Sequence, residues 1–188
     1  GILVSVVIGM ALTLPISSAA ICAALSLTGA GAVENAHGLA LAGAAAIAGC
    51  CAQMVGFAVM SFKENRFAGL LSQGLGTSML QMPNIVRNPL VWLPPIIASA
   101  ITGPLATCFF KLEMHGTAIF SGMGTCGMLG PVGLILGWTN EGGQTPGISQ
   151  WLGLILICFL LPALICLGLS KLMRRLGWIK EGDLKLNL

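Results

Sequence analysis

Charged and aromatic residues are scarce in this sequence. Of its 188 residues only 8% are charged and 6% are aromatic, and none is a tyrosine. A soluble domain carries about a quarter charged residues, so the composition excludes an ordinary soluble fold. Apolar residues instead make up 56% of the chain, and its mean hydropathy is +0.93. At about 100 to 200 residues per domain, we predict a single integral membrane domain over residues 1–188, with the lipid bilayer as its surroundings.

The residues that several functional classes require are also missing. The nine lysines and arginines form no cluster dense enough for nucleic-acid binding. The seven cysteines lie in apolar stretches without the CxxC spacing of a metal site, so we predict that they are small buried residues. Neither a P-loop nor a Ser/His/Asp set in a plausible context occurs. We therefore predict no nucleic-acid partner, no metal ion, no cofactor and no catalytic residue in this chain.

Four apolar segments are long enough to cross a bilayer, which takes about 20 residues of helix. They cover residues 2–27, 38–62, 90–112 and 151–169. We predict that the first is one helix with a kink at Pro15, because proline removes a helical hydrogen bond. The second has alanine or glycine at every fourth position from Ala40 to Gly56. This stripe predicts a buried helix that other helices approach closely.

Two further apolar segments, residues 67–89 and 117–138, contain too many glycines and prolines for a continuous helix. Cytoplasmic loops carry an excess of lysine and arginine, and here residues 63–87 and 171–185 are basic while residues 139–150 have no basic residue. We therefore predict a multi-pass membrane protein with a cytoplasmic C-terminus. The fold class is all-α, with about four spanning helices and two re-entrant hairpins of opposite orientation.

An internal repeat links the two broken segments. At an offset of 48 residues, which separates Gly74 from Gly122, both segments read G-[L/M]-G-T-[S/C] and then, after four residues, proline. Facing hairpin tips form the substrate site in many transporters, because glycines permit close backbone approach and hydroxyls bind polar solutes. We therefore predict that valine at either second glycine abolishes binding. The predicted solute-binding residues of the repeat are Gly74, Gly76, Thr77, Ser78, Gly122, Gly124 and Thr125.

Four stretches of the chain carry a family resemblance: Asn-Pro-Leu-Val-Trp-Leu-Pro-Pro at 88–95, His-Gly at 115–116, Gly-Met-Gly-Thr at 122–125 and Gly-Trp-Ile-Lys-Glu-Gly-Asp-Leu at 177–184. Together they resemble the membrane component IIC of the bacterial sugar phosphotransferase system, in the divergent branch that includes perfringolysin-regulator-like membrane proteins. The resemblance covers most of residues 67–188. It implies a sugar site between re-entrant hairpins, a homodimer, a cytoplasmic phosphoryl-donor subunit and a location in the bacterial plasma (inner) membrane. By comparison with this family, we expect the chain to be a fragment or half of a larger IIC-type transporter.

Other polar residues near the broken segments have two interpretations each. Glu113 and His115 lie beside the second hairpin, where they either bind the sugar or relay protons, or cap the membrane interface. Asn88 and the preceding Arg87 either face the sugar or the phosphoryl donor, or Arg87 is a juxtamembrane anchor. Gln73 either binds the sugar or makes an ordinary interhelical hydrogen bond. Residues 28–37 form a short outer loop that is either solvated or lines an outer vestibule.

Two functions remain open from the sequence. In one, the chain is the sugar-binding and sugar-translocating membrane subunit of a phosphotransferase whose phosphoryl donor is another subunit, and the intact repeat favours this function. In the other, it is a membrane-embedded sensor or regulator that keeps the IIC fold without transport. The absence of the Ile-Thr-Glu-Pro motif, whose glutamate holds the sugar in glucose-type members, favours the second function.

Overall fold

The computed structural model describes residues 1–28, 35–139 and 146–186, and within these ranges the chain forms helices and turns without a β-strand. Short π-helical or 3₁₀ turns precede or follow most of the α-helices. The α-helices are α1 Ile2–Thr13, α2 Ser18–Ala24, α3 Ala36–Met60, α4 Phe62–Leu71, α5 Met82–Arg87, α6 Leu93–Pro104, α7 Ala118–Ser121, α8 Leu129–Thr139, α9 Ile148–Ile155 and α10 Leu161–Arg175.

Three helical stretches within the described residues are long and apolar enough to cross a membrane. They are Ala36–Met60 with 25 residues, Pro89–Phe109 with 21 and Ile148–Arg175 with 28. Each corresponds to one of the four predicted spans, and the all-helical membrane class is confirmed. The second stretch widens into a π-helical turn after Pro104 and the third has one before Pro162, since proline removes a backbone donor from a regular helix.

The prediction of one kinked helix over residues 2–27 is wrong. Leu14 has an extended backbone with ψ 159°, and the next residue, Pro15, cannot donate the hydrogen bond that would continue α1. Ser17 then begins a new helix, because its hydroxyl accepts a hydrogen bond from the backbone N–H of Ala20 at 3.2 Å. Serine is among the preferred residues for this N-cap position. The proline therefore separates two helices.

The two short helices run in opposite directions along α3. Along α1, Ser5 lies against Gly49, and Thr13 bonds to Gln53, nearer the Met60 end of α3. The return helix α2 leads to Leu27, whose carbonyl lies against Gly43, nearer the Ala36 end. Residues 2–27 are therefore a helical hairpin that turns back beside α3.

The small-residue stripe of α3 is buried, as the sequence predicts. The side chains of Ala40, Ala44, Ala48 and Ala52 are at most 2% exposed, and α1, α6 and α10 pack around this helix. The approach is close: a Cβ atom on Gly56 of the stripe would lie 2.7 Å from the Sγ atom of Cys166 in α10. The stripe places α3 at the centre of the bundle.

Neither repeat segment is a continuous helix, again as predicted. In the first, α4 leads through the π-helical turn Ser72–Gly76 to an extended residue, Thr77, with φ −155° and ψ 140°. In the second, α7 has four residues and is followed by a turn and the 3₁₀ helix Cys126–Met128. This second segment folds back on itself, because Gly133 of α8 packs against Phe120 of α7.

Candidate functional site

Three helix interruptions converge beside the middle of α3. The break after α1 meets the first repeat segment, where the hydroxyls of Thr13 and Ser78 are 2.9 Å apart. The start of α2 meets the second segment, where the hydroxyl of Ser18 donates to the carbonyl of Gly122 at 2.7 Å. The turns Ser72–Gly76 and Cys126–Met128 also pack against each other. The structure thus brings the two repeat motifs together with a third break, at Pro15, where the sequence predicted a kink.

The glycines of the second motif allow close backbone contacts. A Cβ atom on Gly122 would lie 2.6 Å from the carbonyl carbon of Ser18, and one on Gly124 would lie 2.7 Å from the carbonyl carbon of Cys50. Gly124 also has φ +53°, a left-handed conformation that glycine adopts at least cost. Cys50 lies near the midpoint of α3, so the second motif reaches the middle of the bundle.

The first motif has different surroundings. The nearest atom to a Cβ on Gly74 would be Ala58 Cβ at 3.5 Å, and the nearest to one on Gly76 would be the carbonyl oxygen of Leu71 at 4.0 Å. These distances leave room for a side chain, so Gly76 makes no close contact with neighbouring backbone, and its contact with a bound ligand stays a prediction. The hydroxyl of Thr77 accepts from the Met79 N–H at 3.2 Å, which engages it in capping the next turn.

Thr125, in the second motif, has an unsatisfied buried hydroxyl. The residue is 1% exposed, and its Oγ1 has no hydrogen-bond partner among the described residues. Leaving a buried hydroxyl unpaired costs about 1–3 kcal/mol, so such groups call for an explanation. A hydroxyl of this kind is suited to bind a polar group supplied from outside the chain.

A buried polar network that sequence analysis missed adjoins the convergence point. Gln53 on α3 is fully buried; its Oε1 accepts from Trp92 Nε1 at 2.9 Å and Thr13 Oγ1 at 3.3 Å, and its Nε2 lies 3.4 Å from Ser99 Oγ. The network joins α1, α3 and α6. Gln53 is the one amide side chain in residues 38–62. Its isolation in an apolar span could have indicated this network, because polar residues in membrane helices commonly form hydrogen bonds between helices.

Gln73 and Asn88 are engaged within the protein. Gln73 is fully buried, donates to Ser61 Oγ at 2.7 Å and accepts from Gln81 Nε2 at 2.8 Å. Asn88 donates to Asp183 Oδ2 at 2.8 Å, in the C-terminal tail that follows α10. Gln73 therefore makes ordinary hydrogen bonds within the protein, which is the second of its two interpretations. Asn88 anchors the C-terminal tail.

Glu113 and His115 lie apart from the repeat motifs, toward the Ala36 end of the bundle. The carboxylate of Glu113 is 2.8 Å from His115 Nε2 and 3.1 Å from His37 Nδ1. The segment is fixed there because the Met114 N–H donates to the carbonyl of Ala40 at 3.0 Å. A cavity of about 480 Å³ next to this cluster is lined by His37, Lys111, Glu113 and Gln150, among others. Residues 29–34 of the predicted outer loop lie outside the described residues.

The described residues contain no group of His, Cys, Asp and Glu side chains arranged to hold a metal ion.

A comparison with protein families matches residues 1–186 to the family described as "Phosphotransferase system, EIIC". No curated protein and no solved structure matches the chain. The family match extends over both repeat motifs and the C-terminal tail.

Proposed function

Because the chain belongs to the phosphotransferase system EIIC family, we propose that it binds a sugar where the three helix interruptions converge and moves it across the membrane. Membership makes the chain a membrane component of the sugar phosphotransferase system, which works with phosphotransfer partner subunits. The proposal adds the position of the sugar, a cytoplasmic C-terminus in the plasma (inner) membrane of a bacterium, and a homodimeric assembly.

The unpaired hydroxyl of Thr125 is the observation that carries the proposal. It belongs to the second motif, whose backbone reaches Cys50 in the middle of α3. The neighbouring turns interrupt regular helical hydrogen bonding and so supply backbone groups for a polar ligand. A sugar hydroxyl would satisfy Thr125 at the depth where a translocated solute must pass.

The ends of the two repeat segments support a translocation pathway. The first segment is held at the Met60 end, because Gln73 bonds to Ser61. The second is held at the Ala36 end, because Gly137 packs against the backbone of His115. We therefore propose that the two segments are re-entrant hairpins from opposite faces, and that their movement opens the sugar site to each face in turn.

Replacing Thr125 with valine tests the proposal. Valine keeps the side-chain shape and removes an unpaired buried hydroxyl, so we expect the unfolding temperature of the ligand-free protein to stay equal or rise. Sugar affinity should weaken by about 5- to 100-fold, since a lost hydrogen bond costs about 1–3 kcal/mol. A panel of hexoses, hexitols and disaccharides is first screened by thermal shift on the purified full-length protein, and the affinity of the best binder is then measured.

Thr117 provides the matched control, because it is exposed and is the first residue of the second segment, just before α7. Thr117→Val should leave both sugar affinity and unfolding temperature unchanged. A Thr125→Val protein that binds sugar as tightly as the wild type would refute the proposed site. Lower stability without a change in affinity would show that the hydroxyl is structural.

One observation favours the alternative function, a membrane sensor. The C-terminal tail is bonded to the first repeat segment, because Gln81 donates both to the carbonyl of Leu184 at 3.1 Å and to Gln73 Oε1 at 2.8 Å. A movement of the turn Ser72–Gly76 on sugar binding would thus reach the tail. Uptake by proteoliposomes loaded with the soluble phosphotransfer proteins and a small-molecule phosphoryl donor separates the functions: a transporter accumulates phosphorylated sugar, whereas a sensor binds sugar without uptake.

A further inference from the structure

A groove lined by basic residues lies at the Met60 end of the bundle, between the end of α3, α4 and α10. Its cavity of about 330 Å³ is next to an apolar cavity of about 190 Å³, and the two share Val59, Phe62 and Leu167. The groove therefore has a charged part near the membrane boundary and an apolar part beside the membrane helices. The basic residues that line the charged part are Lys63, Arg66, Lys171 and Arg174.

The positive charges in the groove exceed the negative charges that face them. Lys63 pairs with Glu181 in the tail, and Arg174 pairs with Glu64 at 2.7 Å. Arg66 and Lys171 have no carboxylate partner within the described parts of the chain. The groove thus keeps two uncompensated cations, which suits an anionic ligand.

The backbone at Arg66 is in an unusual conformation. Its φ of 52° and ψ of −144° interrupt the helical geometry of α4, in a region that residues other than glycine rarely adopt. Strained residues of this kind are concentrated at binding and switch sites. Here the strained residue is one of the two uncompensated cations of the groove.

We propose that this groove binds an anionic phospholipid, with the phosphate headgroup at Arg66 and Lys171 and an acyl chain along Val59, Phe62 and Leu167. Basic pockets between membrane helices bind anionic lipid headgroups by this combination of charge and position. A soluble anion would leave the adjoining apolar cavity unused, whereas a phospholipid fills both parts. The proposal is independent of where the sugar binds.

Native mass spectrometry of the detergent-purified full-length protein tests the proposal, with palmitoyl-oleoyl phosphatidylglycerol as the anionic lipid and the phosphatidylcholine of the same chains as the neutral one. The wild type should bind the anionic lipid more tightly. Replacing Arg66→Gln and Lys171→Gln together should weaken phosphatidylglycerol binding by about 25-fold, at about fivefold per charge. Binding of phosphatidylcholine should change by less than twofold.

Two further variants keep the test decisive. Arg87→Gln with Lys180→Gln removes the same number of charges from exposed residues outside the groove, and should leave phosphatidylglycerol binding unchanged. Leu167→Trp fills the apolar part without changing charge and should weaken phosphatidylglycerol binding if the acyl chain lies there. The proposal is overturned if the control pair lowers binding as much as the groove pair, if the two lipids bind equally, or if inorganic phosphate displaces the lipid at equal concentration.

Discussion

Replacing Gly124 with valine is expected to abolish sugar binding and uptake. A side chain there would lie 2.7 Å from the backbone of Cys50 on the central helix, and backbone in a packed helix cannot move aside as a flexible side chain can. Valine would also have to adopt φ +53°, which costs about 1–3 kcal/mol, and overpacking adds a similar amount. The second motif must therefore withdraw from α3, which binding and thermal-unfolding measurements would detect.

Two glycines serve as controls for this variant. Gly76→Val in the first motif should keep the unfolding temperature of the wild type, because the nearest protein atom to the new Cβ would be Leu71 O at 4.0 Å. Gly168→Val in α10 should have no effect, because nothing lies within 4 Å. The repeat alone predicts equal effects at Gly76 and Gly124, whereas the structure predicts unequal ones. A Gly124→Val protein with normal affinity would disprove the close approach.

Replacing Arg174 with methionine is expected to cause a large loss of stability. The side chains of Arg174 and Glu64 are 20% and 9% exposed, and their closest nitrogen and oxygen are 2.7 Å apart. Methionine fills similar space but leaves the carboxylate of Glu64 buried without its partner, which costs about 3–5 kcal/mol. Thermal or denaturant unfolding in detergent measures the loss, and adding Glu64→Gln should recover part of it.

The exposed pair between Lys63 and Glu181 provides the comparison for Arg174. The side chains are 68% and 79% exposed, and the hydrogen bond from Lys63 lowers the pKa of Glu181. Surface ion pairs contribute little because water and salt screen them, so Lys63→Met should leave the unfolding temperature unchanged. Equal losses from the two variants would contradict the view that burial determines the effect.

Local sequence signals predicted the interruptions but could not show how the chain continues after them. A proline in an apolar run either kinks a helix or separates two helices. At Pro15 the sequence analysis predicts a kink, whereas the structure has two separate helices. The decision depends on contacts remote in sequence, such as Ser18 with Gly122 and the hydroxyl of Ser121 with the carbonyl of Leu27 at 2.7 Å. The repeat, by contrast, relates two segments directly, and the motifs that it links do lie together.

The candidate site, too, could be predicted only in part, because a sequence repeat relates residues directly whereas remote contacts are not visible in the sequence. The second motif contains buried glycines and the unpaired Thr125, and all belong to the repeat that the sequence shows. Glu113 and His115 are close to this motif in sequence, but α7 carries the chain away from them toward the middle of α3. The role of Gln53 was not predicted because the hydrophobic pattern only places this residue in a membrane span. The packing of the helices is needed to show which of them its amide joins.

The central claim is that the sugar binds at the converging interruptions, and a structure determined with bound sugar tests it most directly. The account predicts sugar density within hydrogen-bond distance of Thr125 Oγ1, close to the turns Ser72–Gly76 and Cys126–Met128. Sugar density confined to the cavity at the Ala36 end beside Glu113 and His115, with the hydroxyl of Thr125 still unpaired, would contradict it.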